Sequence, residues 1–104
     1  MVKHVVMFKL SEKQPANIKK AVAALKSLQG NIETLRHIEV GVDFKGSDRS
    51  FDIVLTTHFD DKEGLDIYEN HPNHQPIRQT MMALCSRSAV VDYEVEQPIV
   101  NNLS

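Results

Sequence analysis

Val2-Lys3-His4-Val5-Val6-Met7-Phe8-Lys9-Leu10 is the stretch that decides the architecture of this chain. It is rich in β-branched and aromatic residues, which fit a pleated strand. Its apolar side chains occupy both alternating sets, with Val6, Phe8 and Leu10 on one and Val5 and Met7 on the other. A strand that is apolar on both sides is normally covered on both. Helices laid on one face of its sheet would therefore leave the other face in need of a partner.

Outward from that strand the pattern changes period. Ser11-Glu12-Lys13-Gln14 has the spacing of a capping box, and Pro15 is tolerated in a first helical turn. Ile18, Ala21, Val22, Leu25 and Leu28 recur at helical spacing, with Lys19, Lys20 and Lys26 opposite, and Gly30-Asn31 supplies a stop. Residues 35–43 and 51–59 alternate again, and the polar cluster Lys45-Gly46-Ser47-Asp48-Arg49-Ser50 between them predicts an antiparallel hairpin. Asp60, Asp61 and Glu63 suit a helix N-terminus, and that helix carries Leu65, Ile67 and Tyr68 to about Asn70. Pro72 and Pro76 interrupt it before a second helical piece with Ile77, Met81, Leu84 and Cys85, and residues 89–95 close the chain as a strand.

The order β-α-β-β-α-β predicts an α+β, ferredoxin-like protomer, a four-stranded antiparallel sheet with its helices on one face. Its apolar open face predicts a homodimer formed sheet to sheet, a dimeric α/β barrel. Residues 1–96 are expected to form this domain and 97–104 a C-terminal tail. A chain of 104 residues has room for one core. The net charge of −2, with no Lys/Arg run beyond two residues, argues against nucleic acid as a partner. No stretch approaches the roughly 20 apolar residues of a membrane span, and the first residues lack a signal-peptide pattern. Cys85 is the only cysteine, which excludes an intrachain disulfide and fits a cytoplasmic protein. Its apolar surroundings predict a buried, inert thiol.

Several segments carry a family resemblance: Lys3-His4-Val5-Val6-Met7-Phe8-Lys9, Glu39-Val40-Gly41-Val42-Asp43, Phe51-Asp52-Ile53-Val54-Leu55, Tyr68-Glu69-Asn70-His71-Pro72-Asn73-His74 and Val91-Asp92-Tyr93. Together, over residues 2–95, they resemble the stress-responsive dimeric A/B-barrel family. The resemblance implies a ferredoxin-like protomer that pairs into a barrel with a central cavity, and it does not imply one activity. Many relatives are described only as stress-responsive, whereas one plant member closes a linear polyketide by aldol condensation. That cyclase's tyrosine and histidine fall by position on Tyr68 and His74, and a histidine of its first strand falls on His4.

Carbonyl–enolate chemistry needs a base near a carbon-bound proton and a donor for the developing oxyanion. Histidine suits the first task and a tyrosine hydroxyl the second. The expected catalytic set is therefore His4, Tyr68 and His74, with His71, Phe8 and Val6 against a small, partly apolar ligand. Pro72 is expected to re-aim His74 toward the cavity, and His4 to look into the barrel. Other roles fit the same residues: Tyr68 burying its ring, His71 capping a helix end, a non-catalytic barrel serving the stress response, or a carrier or sensor without turnover. His37 and His58 read as surface or interface histidines. His71 and His74 with Asp66 or Glu69 make at most a partial metal site, because the proline distorts their spacing, so neither metal nor cofactor is assigned. No Gly-rich phosphate loop or nucleophile elbow is present.

Overall fold

A computed structural model describes residues 1–96. The expected tail, 97–104, lies outside the described residues. Strand β1 (Val2–Leu10) leads through α1 (Pro15–Lys26) to β2 (His37–Val42) and β3 (Ile53–Phe59), then α2 (Lys62–Glu69), α3 (Gln75–Leu84) and β4 (Cys85–Glu94). The four strands form one sheet in the order β2-β3-β1-β4, and every neighbouring pair is antiparallel. This is the ferredoxin-like arrangement, with the second helical region split in two around Pro72.

Strand parity assigns the two faces. Val2, Val6 and Phe8 lie opposite Phe59, Leu55 and Ile53 of β3, and this set faces the helices. Leu28, Ile32, Leu65 and Tyr68 pack on Val2 and Phe59, while Ala21, Leu25 and Met81 pack on Leu10, Ile53 and Leu55. On the other face Val5 lies between Thr56 and Val91, and Met7 between Val54 and Ala89. Met7, Val91 and Tyr93 are exposed there. The central strand is thus apolar on two sides while the protomer covers only one.

Several boundaries differ from expectation for physical reasons. Ser11 does not cap α1; its N–H donates to the Leu84 carbonyl. Pro15 holds the preceding Gln14 extended (φ −115°, ψ 150°), so the helix begins there without a side-chain cap. Strand β4 begins at Cys85, directly at the end of α3, so Cys85 belongs to the sheet rather than to the second helix. It is half-buried, and burial raises its thiol pKa, an effect the nearby Asp52 reinforces. Gly30 (φ +81°) and Gly46 (φ +67°) take the left-handed conformation where the chain turns out of α1 and through the β2–β3 loop.

Candidate functional site

Tyr68 sits in the last turn of α2, a helix started by the Asp61 side chain, which accepts from the Gly64 N–H at 2.8 Å. The buried face of this short helix is Gly64, Leu65 and Tyr68. That places the Tyr68 ring wholly inside the protein, against Phe59 (4.9 Å between centroids), His74 (4.5 Å) and His4 (5.9 Å, edge-on). Its hydroxyl is buried with no hydrogen-bond partner among the described residues. An orphaned buried hydroxyl costs about 1–3 kcal/mol. Burial, reinforced by the charge of Glu69, holds its pKa well above the ordinary tyrosine value, so the group stays a protonated donor.

His74 is held by the broken end of the same helix. Through Pro72 the chain makes successive turns, His71 N–H to Tyr68 carbonyl and His74 N–H to His71 carbonyl, and His74 becomes the residue that opens α3. Its Nδ1 lies 3.3 Å from the Glu69 carbonyl oxygen, which also accepts from the Gln75 side chain at 3.2 Å. A carbonyl oxygen only accepts, so Nδ1 carries the proton and neutral His74 presents Nε2 as a base. Burial lowers the His74 pKa, as do the charges of Arg78, His4 and His71, against the raising effect of the Glu69 carbonyl. The imidazole is therefore neutral near pH 7.

His4 is only 6% exposed. It does not look onto the space beyond the open sheet face, as its strand position had led us to expect. The even-numbered residues of β1 face the helices, and His4 goes with them. Fully buried Thr57, its partner on β3, donates to the His4 carbonyl at 3.2 Å. On the other side the register sets His4 opposite Asp92 of β4, and its Nδ1–H donates to the Asp92 carboxylate. An imidazole held by a carboxylate in this way has a fixed tautomer and a fixed ring orientation.

His4, Tyr68 and His74 all line one cavity of about 450 Å³ between the sheet and the helices, and Val6 and Phe8 line it as well. Its other apolar walls include Leu55, Ile77, Met81 and Val90, while Glu69 and Arg78 join the polar groups. The volume falls in the range of small-molecule sites. His71 is not among the lining residues. Its Nε2–H donates to Glu33 at 3.1 Å, and its Nδ1 accepts the Asn73 N–H at 3.1 Å, which ties the loop between α2 and α3 to the segment after α1. His37 and His58 pair across β2 and β3 on the open face, with rings 4.7 Å apart.

Two site residues had no chemical role in the sequence reading, Asp92 and Arg78, and Glu69 entered it only as a partial metal ligand beside His71 and His74. Asp92 carried a faint signal, a charged residue inside an otherwise apolar strand segment, but its partner is 88 positions away and only the β1–β4 register finds it. The His71/His74 spacing does not gather metal ligands. Among the described residues the group whose donor atoms lie close enough to hold a cation is His4, Glu69 and Asp92, all within 4.8 Å of one another.

The comparisons with known proteins agree with this architecture. A family model described as the stress responsive A/B barrel domain matches residues 2–95. An uncharacterized protein of Streptomyces coelicolor is 31% identical over 78 residues, covering 72% of this chain and 80% of the relative. A dimeric protein of unknown function with a ferredoxin-like fold from Bacteroides fragilis is 29% identical, with a TM-score of 0.78 over 90% of this chain and 95% of that one. A hydroxynitrile lyase from Passiflora edulis shares the fold at 17% identity, with a TM-score of 0.79 over 94% and 95% of the two chains.

Proposed function

The chain belongs to the stress responsive A/B barrel domain family, and we propose that it is a homodimer whose protomers each bind a small, partly apolar carbonyl compound and move protons on it. The observation that carries this reading is the Tyr68 hydroxyl, buried, unpartnered and flanked by two histidines on an apolar cavity. A ligand carbonyl oxygen would give that hydroxyl its missing acceptor. The apolar walls from Val6, Phe8 and Met81 would hold a hydrocarbon portion.

The chemistry follows from the protonation states. His74 Nε2 removes a proton from the carbon next to the carbonyl; the C–H electron pair becomes the enolate double bond, and the carbonyl π pair moves to oxygen. Tyr68 O–H donates to that oxyanion, where a donor in a water-poor site is most effective. The abstracted proton passes from His74 to the product by way of His4, whose Nε2 accepts it while Asp92 holds Nδ1–H, so both imidazoles end neutral. The hydroxynitrile lyase of Passiflora edulis shows that this fold can carry an enzyme site, though its likeness extends to the fold alone. Dimer formation through the open face is supported by exposed Met7, Val91 and Tyr93 and by the dimeric relative from Bacteroides fragilis. In this reading the protein works in the cytoplasm, where its one free thiol would stay reduced.

A second reading, a carrier without turnover, is favoured by the breadth of the apolar lining. Proton exchange at the α-carbon of short-chain ketones and β-keto acids in heavy water, followed by NMR, separates the two. We expect catalysed exchange that falls by about 100-fold or more in His74→Gln, and weaker binding in Tyr68→Phe. Saturable binding with no exchange would establish the carrier instead. Exchange unchanged in His74→Gln would remove His74 from the mechanism.

A further inference from the structure

We infer that His4 Nδ1 and the carboxylates of Glu69 and Asp92 form a binding site for a divalent first-row cation beside the stretch of cavity wall that His4 and Glu69 line. The three donors come from β1, α2 and β4, elements distant in sequence, and their ligand atoms lie within 4.8 Å of one another. In a zinc site the donors stand about 2.0–2.2 Å from the ion and hence roughly 3–3.5 Å from each other. His4 Nδ1 and Asp92 are already in hydrogen-bond contact, so closure asks mainly that Glu69 move in, by up to about 1.5 Å. His4 is buried and sets the position. Asp92, whose side chain is 41% exposed, and half-buried Glu69 have the freedom to move onto it.

Charge points the same way. Two carboxylates converge on one imidazole, so even a protonated His4 would leave a net negative charge in a partly desolvated corner. Asp92 has His4 as its ion-pair partner, and Glu69 has none among the described residues. Arg78 and Arg87, the arginines on the cavity wall, pair with neither carboxylate. One nitrogen and two carboxylate donors without a thiolate suit Mn²⁺, Fe²⁺ or Zn²⁺ rather than a soft cation. Three protein donors leave coordination positions open, as in catalytic sites. The unpartnered Tyr68 hydroxyl is wholly buried on a side chain that lines the same cavity, with its ring 5.9 Å from that of His4.

This inference rests on the cavity of the proposed function but changes one assignment within it. With a cation on Nδ1, His4 gives up its hydrogen bond to Asp92 and no longer carries protons. His74, outside the donor set, remains the base.

The test uses the full chain, stripped with a chelator and desalted, then titrated with Mn²⁺ by electron paramagnetic resonance and with Zn²⁺ by calorimetry. We expect one ion per chain, affinity at least about tenfold weaker in Glu69→Gln and in Asp92→Asn, and a cation-dependent rise in Tm that Glu69→Gln loses. Both variants keep side-chain size, and circular dichroism checks that each is folded. No saturable binding by the wild-type chain, or undiminished binding in both variants, overturns the site. Ketone exchange by the stripped protein is scored separately. Exchange without cation binding sinks this inference and leaves the proposed function standing, whereas variant-sensitive cation binding without any exchange does the reverse.

Discussion

His74 joins stability to chemistry through one proton. Its pKa is held below the ordinary 6.5, chiefly by burial, and the His58 pKa is lowered as well, by burial and by the neighbouring His37 and Lys3. An imidazole whose folded pKa is depressed takes its proton later than the unfolded chain does. Above 6.5 neither state is protonated and stability is undiminished. As pH falls through 6.5 toward the folded value, the unfolded state binds the proton first and stability is lost, levelling off once both states are protonated. We expect urea midpoints to fall between about pH 7.5 and pH 5. The fall should be shallower in His74→Gln and persist in part, because His58 still titrates. An unchanged slope in His74→Gln would mean that its ring is not desolvated in the folded protein. The same depression keeps His74 competent as a base in mildly acidic solution, so exchange activity should outlast pH 6.5 rather than halve there.

At the level of elements, the strand that carries His4 is anchored at its far end by Asp52, a buried acid just ahead of β3. Between Lys9 and Leu10 the β1–β4 register shifts, and the Leu10 N–H donates instead to Asp52 Oδ2 at 2.8 Å. Lys13 Nζ at 3.6 Å and Lys9 Nζ at 4.0 Å supply the opposing charge. The Asp52 backbone also bonds both neighbours, donating to the Phe8 carbonyl and accepting from the Asp43 N–H, each at 2.9 Å. Asp52→Ala would leave the Leu10 amide without its acceptor and two lysines without their counter-charge. A loss of about 2–3 kcal/mol follows, measured by urea unfolding, with Asp52→Asn losing less because it keeps an acceptor. If Asp52→Ala costs under about 0.5 kcal/mol, the anchor is not a structural one. Nothing in the residue order announced this role; within the alternating run 51–59 an aspartate falls in the set opposite Ile53 and Leu55, and only the register brings Leu10 to it.

For the whole molecule, the deciding feature is a sheet covered on one side only. The protomer measures 45 × 33 × 19 Å along its principal axes, and the shortest of these is the thickness of one sheet and one helical layer. Met7 stands at the centre of the open face on the central strand, flanked by Val54 and Ala89. A second hollow of about 450 Å³ on this side, lined by Met7, Val54, Phe51 and the fully exposed Phe44, adds apolar surface for a second copy to cover. Met7→Lys puts a charge into that contact and leaves the helix-covered core untouched. We expect sedimentation velocity to show the wild-type chain as a dimer and Met7→Lys as a monomer with a lower Tm. A monomeric wild type, or a Met7→Lys chain that stays dimeric with unchanged stability, would rule out the open face as the interface.

Element order, the hairpin, the break at Pro72 and the two-sided first strand were all legible in the residues, because periodicity and turn chemistry are properties of neighbours along the chain. The capping box at Ser11 misled for the same reason. Its spacing was right, but Pro15 acted on Gln14 and moved the start of α1. What the residues alone left undecided was which side of β1 the helices would cover. That choice turns His4 inward to Tyr68 and His74 and places the cavity within the protomer instead of between two sheets. The register that joins His4 to Asp92, and the approach of Glu69 to both, also emerged only in three dimensions. Strand pairing and helix docking are set by the packing of the whole core, and a local pattern carries no record of which distant residue will arrive beside it.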